Sequence, residues 1–172
     1  YPVHIKFNTG LNRLGFKVND IDSIVSKLDN TSSIKVNSLF SHLVASEDTN
    51  ELEFSNNQIG KFKTIAATFE EKSGIKPWLH MCNTSGIINY PEAHFDMVRS
   101  GIGLYGFGNS IEEDNKLKPI ASLKSVISQI HTIEKDETVG YNRAYTAKGI
   151  EKTATIPIGH ADGISRIYGQ EK

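Results

Sequence analysis

The sequence lacks the features of secreted, disulfide-stabilised and membrane-spanning proteins. One cysteine among 172 residues cannot form an internal disulfide, which excludes a disulfide-stapled fold. This cysteine usage is typical of a reducing compartment, so we expect a cytoplasmic protein. The apolar runs are far shorter than the roughly 18 residues of a transmembrane helix, and we expect no membrane span.

An excess of either charge is also missing. The 19 Lys and Arg residues nearly balance the 20 Asp and Glu residues, which leaves a formal net charge of −1. This balance argues against binding to nucleic acid or to an anionic membrane through bulk charge. The composition, 38% hydrophobic and 23% charged, is that of an ordinary globular chain. The length fits one domain, but Tyr1 opens directly onto a strand pattern, so we expect a piece of a longer protein.

The first two thirds of the sequence alternate strand-like and helix-like segments. Apolar residues at helical spacing predict helices over residues 19–28 and from Ser55 to Gly74, where glycine suits a left-handed C-cap. Alternating or apolar runs predict strands at residues 3–7, 38–44 and 78–82 and a fourth strand region at 97–106. This order favours a parallel sheet, either half of an eight-stranded barrel or a small doubly wound sheet.

The pattern changes after Asn109. A polar segment at 111–115 is closed by Pro119, and the residues beyond it have the pattern of short strands without a strong helix. We therefore predict an α/β part over residues 1–115 and the start of a mostly β part over residues 116–172. Polar and glycine residues follow each predicted α/β strand, at the positions where α/β enzymes bind ligands.

Six stretches carry a more specific signal. They include Ser-His-Leu-Val-Ala-Ser-Glu-Asp at 41–48, Glu-Thr-Val-Gly-Tyr-Asn-Arg-Ala-Tyr-Thr-Ala at 137–147 and Thr-Ile-Pro-Ile-Gly-His-Ala-Asp-Gly at 155–163, with the others at 4–16, 89–106 and 117–125. In this order they resemble the fold-type III alanine racemases, which use pyridoxal 5′-phosphate (PLP). The resemblance implies the C-terminal half of a (β/α)8 TIM-type barrel followed by the start of a mostly β domain. The lysine that binds PLP covalently would lie outside this chain.

The resemblance also implies a set of cofactor-binding residues. Arg99 matches the arginine that faces the PLP ring nitrogen, and as a permanent cation it donates to that nitrogen without protonating it. The alternative for Arg99 is a surface arginine bound to a carboxylate. His42 matches a histidine that lies beside the cofactor ring and bonds to this arginine. Thr84, Gly101 and Ile102 match positions that bind the phosphate, and Asn83 matches a neighbouring position that supports them.

The substrate end of the site follows from the same resemblance. Arg13 matches an arginine that contacts the PLP phenolic oxygen and helps to bind the substrate carboxylate. Lys6 matches a lysine that is carbamylated in some members, the alternative being an ordinary lysine at a strand end. Entrance positions match at Glu47, His160 and Arg166, where Glu47 and His160 replace the aspartate and tyrosine common in the family.

Tyr141 is the catalytic residue that the resemblance implies. It matches the second base of a two-base (Lys/Tyr) racemisation, and it would act in the active site of the partner subunit. A free tyrosine has a pKa of about 10, so this role requires nearby cations that stabilise the phenolate. The alternative is a tyrosine packed at an interface, a role for which Tyr145 is the candidate.

The function implied is interconversion of L- and D-alanine for peptidoglycan synthesis by a cytoplasmic homodimer, with this chain inactive alone. One alternative is a non-catalytic PLP-binding barrel protein of cofactor homeostasis, against which the β part and Tyr141 argue. A broad-specificity amino-acid racemase is the other.

Cys82 is expected to be a buried apolar residue. We predict no metal, because metal-ligand spacing is missing at His4, His80, His94 and His131.

Overall fold

A three-stranded parallel sheet organises the first part of the chain. The computed structural model describes residues 1–165 and residue 167, which divide into a first compact unit over residues 1–121 and a second unit from residue 122 onward. The strands of the first unit lie in the order β1 (Pro2–Lys6), β2 (Lys35–Phe40) and β3 (Trp78–His80). Both strand pairs are parallel, as the alternation of strands and helices predicts. The α/β class is confirmed.

Two helices connect these strands and cover one face of the sheet. They are α1 (Ile21–Asp29) and α2 (Leu52–Ser73), and α2 ends at Gly74, whose left-handed φ of 67° and amide bond to the Glu70 carbonyl (2.9 Å) terminate it as predicted. Lys72 of α2 forms an ion pair with Asp22 of α1. The apolar sides of the sheet and the helices form the core, which includes Ile5, Phe7, Leu39, Phe62, Ile65 and Phe69.

The opposite face of the sheet is polar and aromatic. Successive side chains of a strand point to opposite faces, so a core residue such as Ile5 is flanked by residues of the second face. The register pairs His4 with Ser38, Lys6 with Phe40, and Phe40 with His80. These five side chains, His4, Lys6, Ser38, Phe40 and His80, are called the polar sheet face below.

The predicted fourth strand is wrong. Two backbone hydrogen bonds join residues 96–99 to the β3 segment, from the Asp96 amide to the Leu79 carbonyl (3.1 Å) and from the Arg99 amide to the Cys82 carbonyl (3.0 Å). The chain then turns into a 3-10 helix at Ile102–Tyr105. A strand cannot continue there, because the amides of Gly101 and Gly103 bind the Thr84 hydroxyl and those of Leu104 and Gly106 bind carbonyls within the turn.

The second and third strands are also shorter than predicted, ending at Phe40 and His80 rather than at residues 44 and 82. Beyond Phe40, the Ser41 amide still donates to the His80 carbonyl (3.2 Å). The Ser41 and His42 carbonyls and the Val44 amide bind side chains of other segments, so the ladder ends there. Two short helices follow β3, α3 (Thr84–Asn89) and α4 (Ile111–Asp114). Cys82 is fully buried, as expected.

The second unit consists of two antiparallel strand pairs. Strand β4 (Gln129–Ile133) pairs with β7 (Glu151–Thr155), and β5 (Thr138–Val139) pairs with β6 (Tyr145–Thr146). The strand-like alternation over residues 121–130 becomes a strand only from Gln129 onward, and residues 121–128 form no strand. No helix within the described residues is both long enough and apolar enough to cross a membrane.

Candidate functional site

Arg99 is held at the carboxyl ends of β2 and β3 by four acceptors. Its Nη2 donates to the Ser41 carbonyl (2.8 Å), to Nδ1 of His42 (3.1 Å) and to the Met81 carbonyl (3.4 Å). Its Nη1 donates to Nδ1 of His80. These contacts join the ends of both strands through one guanidinium group, and they include the Arg99–His42 contact that the family resemblance implies.

The two histidines that bind Arg99 are kept neutral. Burial, together with the charges of Arg99 and His4, lowers the pKa of His80 to about 4. Burial and the positive charges of Arg99, Lys6 and Arg13 also lower the pKa of His42. A neutral imidazole has a nitrogen that can accept from the guanidinium, so protonation of either ring would remove an acceptor from Arg99.

His80 is a site residue that sequence reasoning missed. It lies on the polar sheet face, stacked on Phe40 with ring centroids 5.1 Å apart, and its Nε2 is 2.9 Å from Ser38 Oγ. The Arg99 guanidinium lies over the same Phe40 ring, 5.3 Å from its centroid. The period-two strand pattern assigns His80 to one face of the sheet. It does not show that the side chain of Arg99 contacts His80 there.

The positive groups of the site are concentrated near the end of β1. Burial lowers the pKa of Lys6, and the charges of Arg13 and Arg99 lower it further. Lys6 Nζ lies 5.8 Å from the centroid of the Phe40 ring. Within the described residues no carboxylate accepts a hydrogen bond from Arg99, so the alternative of a surface arginine bound to a carboxylate does not describe this contact set.

The loop that carries Arg13 is closed by its own backbone. Phe16 returns to β1, donating to the Lys6 carbonyl and accepting from the Asn8 amide, both at 2.8 Å. Asn8 Oδ1 accepts from the Asn12 amide at 3.0 Å, which supports the left-handed φ of 56° at Asn12. Gly15 has a φ of 122°, and a Cβ there would lie 2.9 Å from backbone atoms of residues 7 and 8. The exposed Arg13 therefore stands on a compact, preformed turn.

A buried glutamine connects this loop to the loop after β2. Gln58 of α2 accepts from the Val44 amide (3.0 Å) and donates to Thr9 Oγ1 (3.2 Å) and to the His42 carbonyl (3.3 Å). Thr9 Oγ1 lies 2.7 Å from Ser41 Oγ, which itself donates to the Phe7 carbonyl. Gln58 therefore fixes the backbone that presents His42 and the Ser41 carbonyl to Arg99. The available sequence signal was a polar residue, Gln58, at helical spacing within the apolar stripe of α2.

The predicted phosphate-binding residues form a tight turn around Thr84. Thr84 Oγ1 accepts from the amides of Gly101 and Gly103, both at 3.0 Å. A Cβ at Gly103 would lie 2.7 Å from Thr84 Cγ2, so this position requires glycine, and sequence reasoning missed it. Asn83 caps α3 by accepting from the Gly86 amide at 2.9 Å, which places it in support of this turn.

The other predicted site residues are less closely connected to Arg99. Glu47 borders a cavity of about 440 Å³ that Glu112 and Glu113 also line. Arg166 lies outside the described residues. No group of three or more His, Cys, Asp and Glu side chains in the described part of the chain is placed to hold a metal ion.

Two of the predicted site residues that the structure describes belong to the second unit. Tyr141 is fully exposed and begins a 3-10 turn in which Asn142 and Arg143 have left-handed φ values of 56° and 51°. His160 donates from Nδ1 to the Ile164 carbonyl at 2.8 Å. Tyr145 donates its hydroxyl to Glu151 Oε2 at 2.6 Å, and this bond raises the pKa of Tyr145.

Comparison with known proteins decides the family. The family model for the alanine racemase N-terminal domain matches residues 1–108, and the model for the alanine racemase C-terminal domain matches residues 120–172. The chain belongs to the alanine racemase family. The two matches leave residues 109–119 between them, whereas the structural division into units falls after residue 121.

Curated and solved alanine racemases are similar along nearly the whole chain. Alanine racemases of Treponema denticola and Clostridium tetani are each 36% identical over 169 residues, which cover 95% of this chain and 44% and 43% of the relatives. The alanine racemase structure from Streptomyces coelicolor matches with a TM-score of 0.83 at 28% identity, covering 96% of this chain and 45% of that one. The chain therefore spans less than half the length of these alanine racemases.

Proposed function

We propose that this chain is part of a PLP-dependent alanine racemase, an isomerase that interconverts L- and D-alanine. The observation that carries the proposal is the environment of Arg99. Its guanidinium is oriented by two neutral imidazoles and two carbonyl oxygens, and no carboxylate within the described residues neutralises it. A fixed cation without an internal counter-ion suits a cofactor whose ring nitrogen needs a donor that does not give up its proton.

The residues present fit PLP chemically. When bound, PLP supplies an electron sink for negative charge at the substrate Cα. Arg99 would face the ring nitrogen, and His42 would lie beside the ring while accepting from Arg99. Arginine keeps its proton at any working pH, so the ring nitrogen would remain unprotonated and the sink would be weaker than one protonated by an aspartate. A weaker sink limits side reactions, which suits racemisation.

The turn around Thr84 would hold the phosphate group. Thr84 Oγ1 already accepts from two amides, so its own proton remains free to be donated to an anion. A Cβ at Gly103 would press on the Thr84 side chain, so glycine keeps this backbone close to the hydroxyl that would bind the phosphate. The Ile102 amide lies between the two glycines whose amides bind Thr84, and we expect it to donate to the phosphate. Asn83 would keep the turn in place through its cap of α3.

Arg13 and Lys6 would act at the substrate carboxylate. Arg13 is the exposed cation of the loop closed at Phe16, and we infer that it contacts the PLP phenolic oxygen and the carboxylate. The lowered pKa of Lys6 increases the fraction of neutral amine, the form that reacts with carbon dioxide. We infer that a carbamylated Lys6 would hold Arg13 in place. Glu47, His160 and Arg166 would line the entrance.

Tyr141 would be the base on one side of the substrate Cα, with a lysine outside this chain on the other side. Racemisation requires proton removal on one face and proton delivery on the opposite face. A fully exposed tyrosine at the start of a turn with two left-handed residues can be presented to a second subunit. We therefore propose a homodimer with shared active sites, built on a (β/α)8 barrel of which residues 1–115 are the second half, followed by a β domain that begins at residue 116. The cytoplasmic location and the role in peptidoglycan synthesis belong to the same proposal.

The test removes the Tyr141 hydroxyl from the full-length protein and measures alanine racemisation. Tyr141→Phe is expected to lower kcat for alanine racemisation by roughly 10²- to 10⁴-fold, the usual contribution of a general base. Tyr145→Phe is the matched control, because Tyr145 binds Glu151 in its own unit, and its kcat should stay within a few-fold of wild type. Equal loss in both variants would contradict the catalytic assignment of Tyr141.

Substrate tests separate the remaining alternatives. Wild-type full-length protein should racemise alanine much faster than serine or lysine, whereas comparable rates would identify a broad-specificity racemase. Bound PLP without turnover of any amino acid would favour the non-catalytic barrel protein. We expect residues 1–172 expressed alone to show no turnover, because the resemblance places the PLP-binding lysine outside them.

A further inference from the structure

A chain of hydrogen bonds with a defined direction crosses the polar sheet face below Arg99. A guanidinium group can only donate, so Nδ1 of His80 must accept from Arg99 Nη1. A neutral imidazole that accepts at Nδ1 carries its proton on Nε2. Nε2 of His80 lies 2.9 Å from Ser38 Oγ, and His80 is therefore the donor to that hydroxyl.

The direction continues through Ser38 to His4. The Ser38 hydroxyl accepts from His80 and still has its own proton to donate, and Nδ1 of His4 lies within hydrogen-bond distance of the same oxygen. Arg99 thus sets the donor of the first two bonds in the series Arg99, His80, Ser38, His4, and Ser38 is the donor of the third when His4 carries its proton on Nε2. The three residues after Arg99 come from three neighbouring strands, β3, β2 and β1.

We propose that Ser38 and His4 are positioning residues for Arg99, because they hold His80 in the Nε2–H tautomer, the one in which Nδ1 accepts from the guanidinium. The Nδ1–H tautomer would place a donor against the Arg99 donor, and it would require the Ser38 hydroxyl to donate to His80 Nε2 instead of to His4. Ser38 and His80 are both buried, with 0% and 3% of their surface exposed, so a lost bond at either residue is poorly replaced by water.

The surroundings of His80 favour its neutral ring. The lowered pKa of His80 keeps its Nδ1 free to accept across neutral pH. The His4 ring meets the His80 ring edge-on at a centroid distance of 5.7 Å, and the Phe40 ring stacks on His80 at 5.1 Å. His80 is therefore held by packing against two rings and by hydrogen bonds at both nitrogens. The expected effect of this His80 tautomer on catalysis rests on the proposed racemase function. The assignment of the tautomer itself does not depend on that function.

The test is ¹⁵N NMR of histidine-labelled, cofactor-loaded full-length protein, with the His80 signals assigned by their loss in His80→Gln. Wild type is expected to show the pattern of a neutral Nε2–H ring at pH 7. Ser38→Ala should shift both His80 nitrogens toward the tautomer-averaged position and lower kcat for alanine on the order of tenfold with little change in KM. Ser32→Ala, at an exposed serine, is the matched control and should change neither.

A second pair of variants covers the case in which Ser38→Ala fails to fold. His4→Asn offers an acceptor oxygen near the position of Nδ1 and should keep the His80 tautomer, whereas His4→Leu should not. A wild-type His80 that carries its proton on Nδ1, or a tautomer unchanged in both Ser38→Ala and His4→Leu, would overturn the proposal. Absence of racemase turnover in the wild type would contradict the proposed function alone, because the ring signals are read without substrate.

Discussion

The positive charge of Arg99 is stabilised by oriented neutral acceptors rather than by an opposite charge. Burial lowers the pKa of Arg99, yet its acceptors are imidazoles and carbonyl oxygens. The arrangement depends on His42 and His80 remaining neutral, since an imidazolium would repel the guanidinium and offer it no lone pair. The protonation states of His42 and His80 therefore determine both the chemistry of the site and its pH dependence.

His80 should make stability depend on pH in a defined window. Its pKa is about 4 in the folded protein against 6.5 for a free histidine, so the unfolded state binds the proton more tightly. This contribution is fully present above pH 6.5 and is lost as the pH falls toward 4. Between pH 7 and pH 5, wild-type full-length protein should lose about 1–2 kcal/mol more unfolding free energy in urea than His80→Asn, which has no titrating ring. Equal losses in the two proteins would show that His80 is not held neutral.

Single elements position the site through the loops that follow them. Helix α2 presents Gln58 to the loops after β1 and β2, and Asn8 organises the turn that carries Arg13. In both cases one amide side chain satisfies several backbone or hydroxyl groups that would otherwise lose their partners. The loops are therefore fixed by the same helices and strands that build the core.

Replacing Gln58 should loosen both loops at once. Gln58→Leu leaves the Val44 amide and the Thr9 hydroxyl without this partner in a buried setting, which is expected to cost about 1–3 kcal/mol of unfolding free energy. Asn57→Leu, one residue away on the exposed side of α2, should change it by no more than about 0.5 kcal/mol. Urea unfolding of the full-length proteins measures both. A Gln58→Leu effect as small as that of the control would mean that the loops find other partners.

The division of residues between the two units matters at the scale of the whole molecule. Arg99 and the residues that bind it belong to the first unit, whereas Tyr141 belongs to the second. In the proposed homodimer with shared sites, Tyr141 of one subunit completes the site built around Arg99 of its partner. This arrangement makes activity a property of the subunit pair.

A mixed dimer distinguishes shared sites from separate ones. Arg99→Ala and Tyr141→Phe full-length subunits, co-expressed with different tags and purified as the heterodimer, should have about half of the wild-type specific activity, because one of the two sites contains neither change. Each mutant homodimer should be nearly inactive. An inactive heterodimer that is still dimeric by analytical ultracentrifugation would show that Tyr141 acts within its own subunit.

The sequence by itself determined the two long helices, the three parallel strands and the family-specific motifs. Apolar spacing and Gly74 were sufficient for the helix that ends at Ser73, and strand patterns located three parallel strands, because these signals depend on neighbours within a few residues. Strand-like composition at 97–106 was misleading, because a strand needs a continuous ladder of partners and the structure supplies two bonds before the chain turns.

Only the tertiary structure decided which side chains meet. His80 and Arg99 are 19 residues apart, His42 and Arg99 are 57 apart, and Gln58 and Thr9 are 49 apart. Their contacts follow from the parallel order of β1, β2 and β3, which brings the carboxyl ends of the strands to one edge. Local patterns cannot specify such contacts, since hydrogen-bond direction and the neutrality of a buried ring depend on everything packed around them.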